Sequence, residues 1–305
     1  MIETLCLAVL SVVVVLRAPR SFRKAAWWGT LFGMVSVMTY GVGGASPADL
    51  DRVLGDRNSL TLVRDLTALA AMWSFHNAVV RERGRVSRRL PWWSLLAAAL
   101  SVAIPFALIH DPGETSRDFV LDRLDQTQVW LFATLYTVYI GTVAGLIIRT
   151  LSAKRTTLSV LWVAGFGLMM VSDVLEVVYL AIAHFAPVSV GFKAHYYYVA
   201  ELPFFTGVLF IGAGFMWILA ARAFWWSAAR WAVRVDARGQ GPEFKERRLA
   251  LAESRGWSDR QLTFDSAANI RDRIKLNPGA VTGPDKQVFT VVERALSKKI
   301  EPVTS

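Results

Sequence analysis

Six ionisable side chains stand inside stretches otherwise built from apolar residues: Arg64, Asp65 and His76 in one, Asp173 and Glu176 in a second, Glu201 in a third. An ionised group in apolar surroundings is costly and usually turns toward a polar interior or a partner, so these residues are the first candidates for chemistry. Asp173 and Glu176 are spaced i to i+3, which on a helix puts both carboxylates on one face. Together with Asp65 and Glu201 they set four carboxylates against one guanidinium, Arg64. Such an excess of negative charge suits a cation, a proton or a small polar ligand. A second reading stays open, in which Arg64 pairs with Glu201 or Asp173 across helices and fixes their register. His76-Asn77 falls at the far end of its stretch beside a run of arginines, where interfacial solvation accounts for it.

Enzyme chemistry finds no support. The sequence has no His-Glu-x-x-His zinc motif, no Gly-x-Ser-x-Gly elbow and no phosphate-cradling Gly-rich loop ending in Lys. Cys6 is the only cysteine, so an internal disulfide or a Cys-x-x-Cys redox pair is excluded. His110, His184 and His195 map to one side of the expected membrane without the spacing of a zinc site. No metal or other cofactor is expected. Retinal is excluded by the lack of lysine in residues 197–221, which leaves no amine for a Schiff base.

The elements that must position these residues are membrane helices. Of 305 residues, 54% are hydrophobic and only 19% charged, a composition too apolar for an ordinary soluble domain. A bilayer core of about 30 Å calls for roughly 20 apolar helical residues. Seven stretches approach that: 2–17, 25–44, 60–80, 90–110, 127–148, 158–184 and 197–221. The first is the shortest, and its positive charge follows the apolar run, the reverse of a secretory signal, so it is expected to be a retained helix. Gly29-x-x-x-Gly33 and Gly141-x-x-x-Gly145 predict close helix packing, and Pro105 and Pro203 fall inside the fourth and seventh spans.

Basic residues flank alternate ends of the spans. The loops after the first, third and fifth hold 12 Lys and Arg, against 5 in the opposite loops. The positive-inside rule then predicts an outside N-terminus and a cytoplasmic C-terminus. On that orientation Arg64 and Glu201 each lie roughly 6 Å below the outer surface, and the polar cluster opens outward. Trp27, Trp28, Trp92 and Trp93 at the inner interface, and Tyr196, Tyr197 and Tyr198 at the outer one, occupy aromatic-belt positions.

The fold class is therefore all-α: a polytopic bundle of seven transmembrane helices over residues 1–221, followed by a basic helical tail over residues 222–305. The tail carries 16 basic and 10 acidic residues, net +6. Arg222, Arg230, Arg234 and Arg238 recur at helical spacing among Phe224, Trp225, Trp226 and Trp231, the pattern of an amphipathic helix whose arginines contact lipid headgroups. Ser258-x-x-Gln261 predicts a capping box for a helix reaching about Lys275, ended by Asn277-Pro278-Gly279. Pro284 can start a further helix with Val288, Val292, Ala295 and Leu296 on one face. Such a tail suits an adaptor for a cytoplasmic protein partner. Its basic residues are too scattered for a nucleic-acid reader, and none is expected as a partner.

Arg17-Ala-Pro-Arg20, the stretch Asp51-Arg-Val-Leu-Gly-Asp-Arg-Asn58 before the third span, and Asn269-Ile-Arg-Asp272 in the tail carry a resemblance. They resemble actinobacterial seven-helix integral membrane proteins that carry a cytoplasmic C-terminal domain of unknown function and are commonly labelled transporters. The resemblance implies location in the cell membrane with multi-pass topology. The first expectation is a transporter of a small solute or ion through Arg64, Asp65, Asp173, Glu176 and Glu201. The alternative is a seven-helix sensor signalling through its tail, and a third is an interaction protein with a packed ion-pair core.

Overall fold

The computed structural model describes residues 2–21, 24–41, 46–84, 88–113, 115–116, 118–153, 156–238, 242–255, 257–276, 281 and 283–297. Among them the chain is all-helical, 84% helix without a strand, and it forms two compact units, residues 1–215 and 216–305.

The first unit contains α1 (Ile2–Ser21), α2 (Ala25–Met38), α3 (Pro47–Arg52), α4 (Ser59–Glu82), α5 (Trp92–Ala107), α6 (Phe119–Asp122), α7 (Thr127–Leu151), α8 (Thr157–Phe185) and the first part of α9 (Val190–Asp236). Each of the seven apolar stretches forms a helix. Those in Thr127–Leu151, Thr157–Phe185 and Tyr198–Asp236 are long and apolar enough to cross a membrane, while Ile2–Leu16, Ala25–Met38 and Trp92–Ala107 are shorter apolar helices. The difference from expectation is greatest at the seventh. Helix α9 does not stop near residue 221 but runs unbroken to Asp236, because Ala and Arg dominate there and no Gly or Pro intervenes before Gly239. Both the expected domain boundary at 221/222 and the division at 215/216 therefore fall inside one helix. Residues 42–45 of the expected second span and the side chains of Arg17 and Arg20 lie outside what is described.

The most polar of the long helices is also the most enclosed. Helix α4 packs against α2, α5 and α7 and buries Asp65, Ser74, His76 and Asn77 along with its apolar residues. Asn77 returns its amide to the loop before α5, donating to Leu90 O and accepting from Leu90 N at 3.1 and 2.9 Å. The peripheral helix α5 instead exposes Trp92, Leu96, Leu100, Ile104 and Leu108, an apolar stripe at i, i+4 spacing. A face of that kind suits lipid better than water.

Glycines set the closest approaches. Gly29 meets Ala71 and Phe75 of α4, so the first small-residue motif joins α2 to α4. At Gly165 of α8 a Cβ would sit 2.8 Å from the carbonyl oxygen of Gly207 on α9, so these two backbones touch. Helix α1 packs on α9 through Cys6 and Leu10 against Phe205, with the Cys6 thiol donating to Phe205 O at 3.6 Å. Thr156 and Ser159 form a reciprocal capping box that starts α8.

The second unit contains the remainder of α9, then α10 (Pro242–Ser254), α11 (Asp259–Leu276) and α12 (Pro284–Ser297). The expected capping box is present, with Ser258 N donating to Gln261 Oε1 at 2.7 Å. Two apolar clusters hold the unit, one of Ala229, Val233, Ala252 and Leu262 with Trp257, the other of Ala232, Val235, Ile270 and Val281 with Phe289. On α12 the buried face is set by Val292 and Phe289, whereas Val288, expected inside, is 40% exposed. The aromatic ring shifts the face by one position.

Candidate functional site

The expected site residues come from α4, α8 and α9. Arg64 Nε donates to Asp65 Oδ1 at 2.8 Å, and the Asp65 side chain is 1% exposed. The guanidinium also lies over the Tyr40 ring, 4.9 Å from its centroid. Glu176 on α8 is within electrostatic range of Arg64, Asp65 and Glu201, and Asp173 is within range of Glu176. The Ser172 hydroxyl donates to Ala200 O, which fastens the residue before Asp173 to the residue before Glu201. The structure thus gathers Arg64, Asp65, Glu176 and Glu201, with Asp173 one helical turn deeper.

Asp173 differs from the rest. It is 5% exposed, and its Oδ2 has no hydrogen-bond partner. The α7 backbone runs so close that a Cβ at Gly141 would lie 3.3 Å from that oxygen. The second small-residue motif therefore places an apolar backbone against a carboxylate. An unsatisfied buried acceptor is costly, and in a native fold it points to a ligand, a proton or a water.

Two tyrosines belong to the same place and were not among the expected site residues. Tyr40, just after α2, shares the electrostatic surroundings of Arg64, Asp65, Glu176 and Glu201, and Tyr136 on α7 shares those of Asp65, Arg64, Glu176 and Tyr40. The available sequence signal was position, because Tyr136 lies a third of the way along its helix, away from any aromatic belt. Tyr40 also stacks edge-on with Phe205 of α9 at 5.5 Å, which holds the phenol against the Glu201 end of that helix.

A cavity of about 20 Å³ reaches Arg64 and is lined by Thr39, Tyr40, Pro47, Leu60, Thr61, Thr115 and Ser116. A space of that size holds one water-sized particle. Its rim is clasped by buried polar residues of the stretch 51–58. Asp51 accepts from Leu60 N at 2.6 Å and from the Thr115 hydroxyl at 2.5 Å. Asn58 donates to Pro112 O at 2.7 Å and accepts from Ser116 N at 3.0 Å. Gly55, Asp56 and Asn58 all have positive φ, which turns the chain tightly enough to aim both side chains at the 112–116 loop. Ser46 caps α3, and its hydroxyl donates to the Asp49 carboxylate at 2.6 Å, which holds that carboxyl below its ordinary range.

Among the described residues no three His, Cys, Asp or Glu side chains are arranged to hold a metal ion. His184 is engaged otherwise, its Nδ1 2.7 Å from Leu124 O and its ring stacked on Trp130. The tail arginines are separate from this site. Arg222, Arg230 and Arg234 are exposed, Arg230 covering the Trp226 ring at 3.7 Å, and Arg238 is paired with Asp285.

No protein family, curated protein or solved structure matches the chain.

Proposed function

We propose that the chain is a seven-span protein of the cell membrane, N-terminus outside, that transports a proton or a small monovalent cation through the cluster of Arg64, Asp65, Asp173, Glu176 and Glu201. One observation carries the proposal: among the described residues, four carboxylates share a largely buried site with one guanidinium. Buried charge without compensation is strongly unfavourable, so the site must take up positive charge from outside the chain. The small cavity at Arg64 has room for a water-sized particle. We assign the site no catalysis. The seven-helix layout follows the seven apolar stretches, the resemblance of the 17–20, 51–58 and 269–272 stretches implies the same location and topology, and the transport reading rests on the carboxylates near Pro203. Arg222 and Arg230, the exposed arginines nearest the end of the span, suit contact with lipid headgroups at the cytoplasmic surface.

The sensor reading rests on a different observation, that α9 carries both Glu201 and the first residues of the tail unit without a break. Reconstitution separates the two. In proteoliposomes with an imposed pH gradient or membrane potential, the wild-type chain should carry a proton or monovalent-cation flux above that of empty vesicles, and Glu176→Gln should reduce it to the empty-vesicle level. Wild-type vesicles as tight as empty ones under both gradients would end the transport reading. The orientation is tested with a membrane-impermeant thiol reagent in a Cys6→Ser background: Asp125→Cys should react from outside intact cells, and Gln287→Cys only after permeabilisation.

A further inference from the structure

The second unit brings together aromatic and basic residues that are far apart in sequence. Arg260, at the start of α11, lies 5.4 Å from the Trp225 ring centroid on α9. Trp257 packs against Ala229, Val233, Ala252 and Leu262, and Arg255 lies 5.4 Å over the Trp257 ring. The turn between α10 and α11 is thereby held at the level of residues 225–229 of α9. Trp226 is 43% exposed and Phe224 38% exposed on the same stretch.

That level has a meaning if the span ends near Ala221. At about 1.5 Å per residue, Trp225 lies roughly 6 Å beyond it and Arg230 roughly 14 Å. The headgroup zone on each side of the hydrocarbon is about 5 to 8 Å thick. Trp225 and Trp226 then sit among headgroups, and Arg230, whose backbone lies beyond them, reaches back to set its guanidinium over the Trp226 ring. The α10–α11 turn, held beside them, reaches the same zone.

We propose that Arg255, Trp257 and Arg260 complete, with Arg222, Trp226 and Arg230, a basic aromatic shelf that rests on anionic lipid headgroups. This goes beyond the transport reading and depends only on α9 ending its span near residue 221. Trp supplies an amphipathic ring suited to the interface, and a guanidinium stacked on such a ring brings its positive charge to the same level. The four arginines outweigh Glu253 and Asp259, the acidic residues beside them in sequence. Nucleic acid suits the surface less well, because the Trp225, Trp226 and Trp257 rings each already carry a guanidinium on one face. Near an anionic surface each arginine contributes about five-fold to binding.

The full chain in nanodiscs tests this, with an environment-sensitive fluorophore on Ser254→Cys in a Cys6→Ser background. Spin-labelled headgroups should quench it in phosphatidylcholine discs containing phosphatidylserine and much less in phosphatidylcholine alone. Quenching should fall by at least about half between ~0.1 M and ~1 M salt, as the Debye length shrinks from ~10 to ~3 Å. Arg255→Gln with Arg260→Gln should abolish the difference between the two discs. A label at Gln287→Cys should not be quenched in either. Equal quenching in both discs, no quenching at 254, or a response of the 254 label to added RNA without one to anionic lipid would overturn the shelf. A label at Leu219→Cys should be quenched by acyl-chain spin labels. If it is not, the span reading falls and the shelf falls with it.

Discussion

Two networks among the described residues use the same kinds of side chain in different proportions. In the first unit, Asp65, Asp173, Glu176 and Glu201 face one guanidinium, Arg64, and one carboxylate oxygen of Asp173 has no partner. In the second unit, Asp236 is equally buried, 1% exposed, and is fully matched. It accepts from Arg273 at 2.7 Å, from Arg248 at 3.2 Å and from Asn269 at 3.2 Å. Arg248 reaches on to Asp265 at 2.7 Å, so two carboxylates meet two guanidiniums. Arg273 also donates to the Asp236 carbonyl oxygen at 2.7 Å, capping the C-terminal end of α9 where a cation is favoured. Balanced charge with every acceptor satisfied is the mark of a structural network. The unbalanced cluster lacks that match among the described residues, and the transport proposal rests on the difference.

The largest effect should follow from breaking the matched network. Asp236→Ala strands Arg248 and Arg273 and should destabilise the tail unit by about 2 to 4 kcal/mol, below the full cost of a buried pair because Arg273 is one-third exposed. Limited proteolysis within residues 242–297 should accelerate sharply, while flux through the first unit persists. An unchanged cleavage pattern would show that the apolar clusters alone hold the tail.

A smaller effect is expected where packing positions the unbalanced cluster. Gly165→Leu must separate α8 from α9, since the first added carbon already sits 2.8 Å from Gly207 O and 2.9 Å from Ile211. The cost should be about 1 to 3 kcal/mol, read as a lower melting temperature, with flux falling as Ser172 leaves Ala200. Full flux at a lowered melting temperature would detach the cluster from the α8–α9 contact.

The smallest effect concerns acid. Asp285 accepts from the Trp231 indole at 3.0 Å and is paired with Arg238, and both hold its carboxyl below the ordinary range. A carboxyl depressed in the folded state contributes stability that is present above its unfolded value, near pH 4, and is lost as pH falls through the folded one. Hydrogen exchange in α12, taken relative to the intrinsic amide rate at each pH, should therefore stay slow down to about pH 4 and quicken below it. Asp285→Asn should quicken it already at neutral pH and flatten that dependence. Identical profiles for the two chains would remove Asp285 from the network that secures α12.

The charged half of the site was legible in the sequence, because an Arg, Asp or Glu inside an apolar run is conspicuous wherever it falls. Tyr40 and Tyr136 were not, since a tyrosine in such a run has the same appearance in a belt, a core or a site. Asp51 and Asn58 stood in the sequence only as ends of the 51–58 stretch, and only the contact with residues 112, 115 and 116, more than fifty positions away, makes them a clasp. That each of the seven stretches forms a helix followed from length and composition, six of them apolar and α4 more polar. Their ends did not: residues 222–236 have the Trp and Arg pattern of a surface helix, and only the packing of Ala229, Ala232, Val233 and Val235 under α10 to α12 shows that α9 continues through them. Asn269 gained its reason only from Asp236, to which it donates. An acidic side chain there would set two carboxylates together.

Asp173→Asn tests the central contrast most directly, through melting temperature and proteoliposome flux measured on the same preparation. Because Asp173 Oδ2 has no partner to lose, the account predicts a melting temperature equal to or above that of the wild type, with flux reduced to the level of empty vesicles. A fall in melting temperature with flux retained would contradict it, and would make Asp173 a structural group like Asp236.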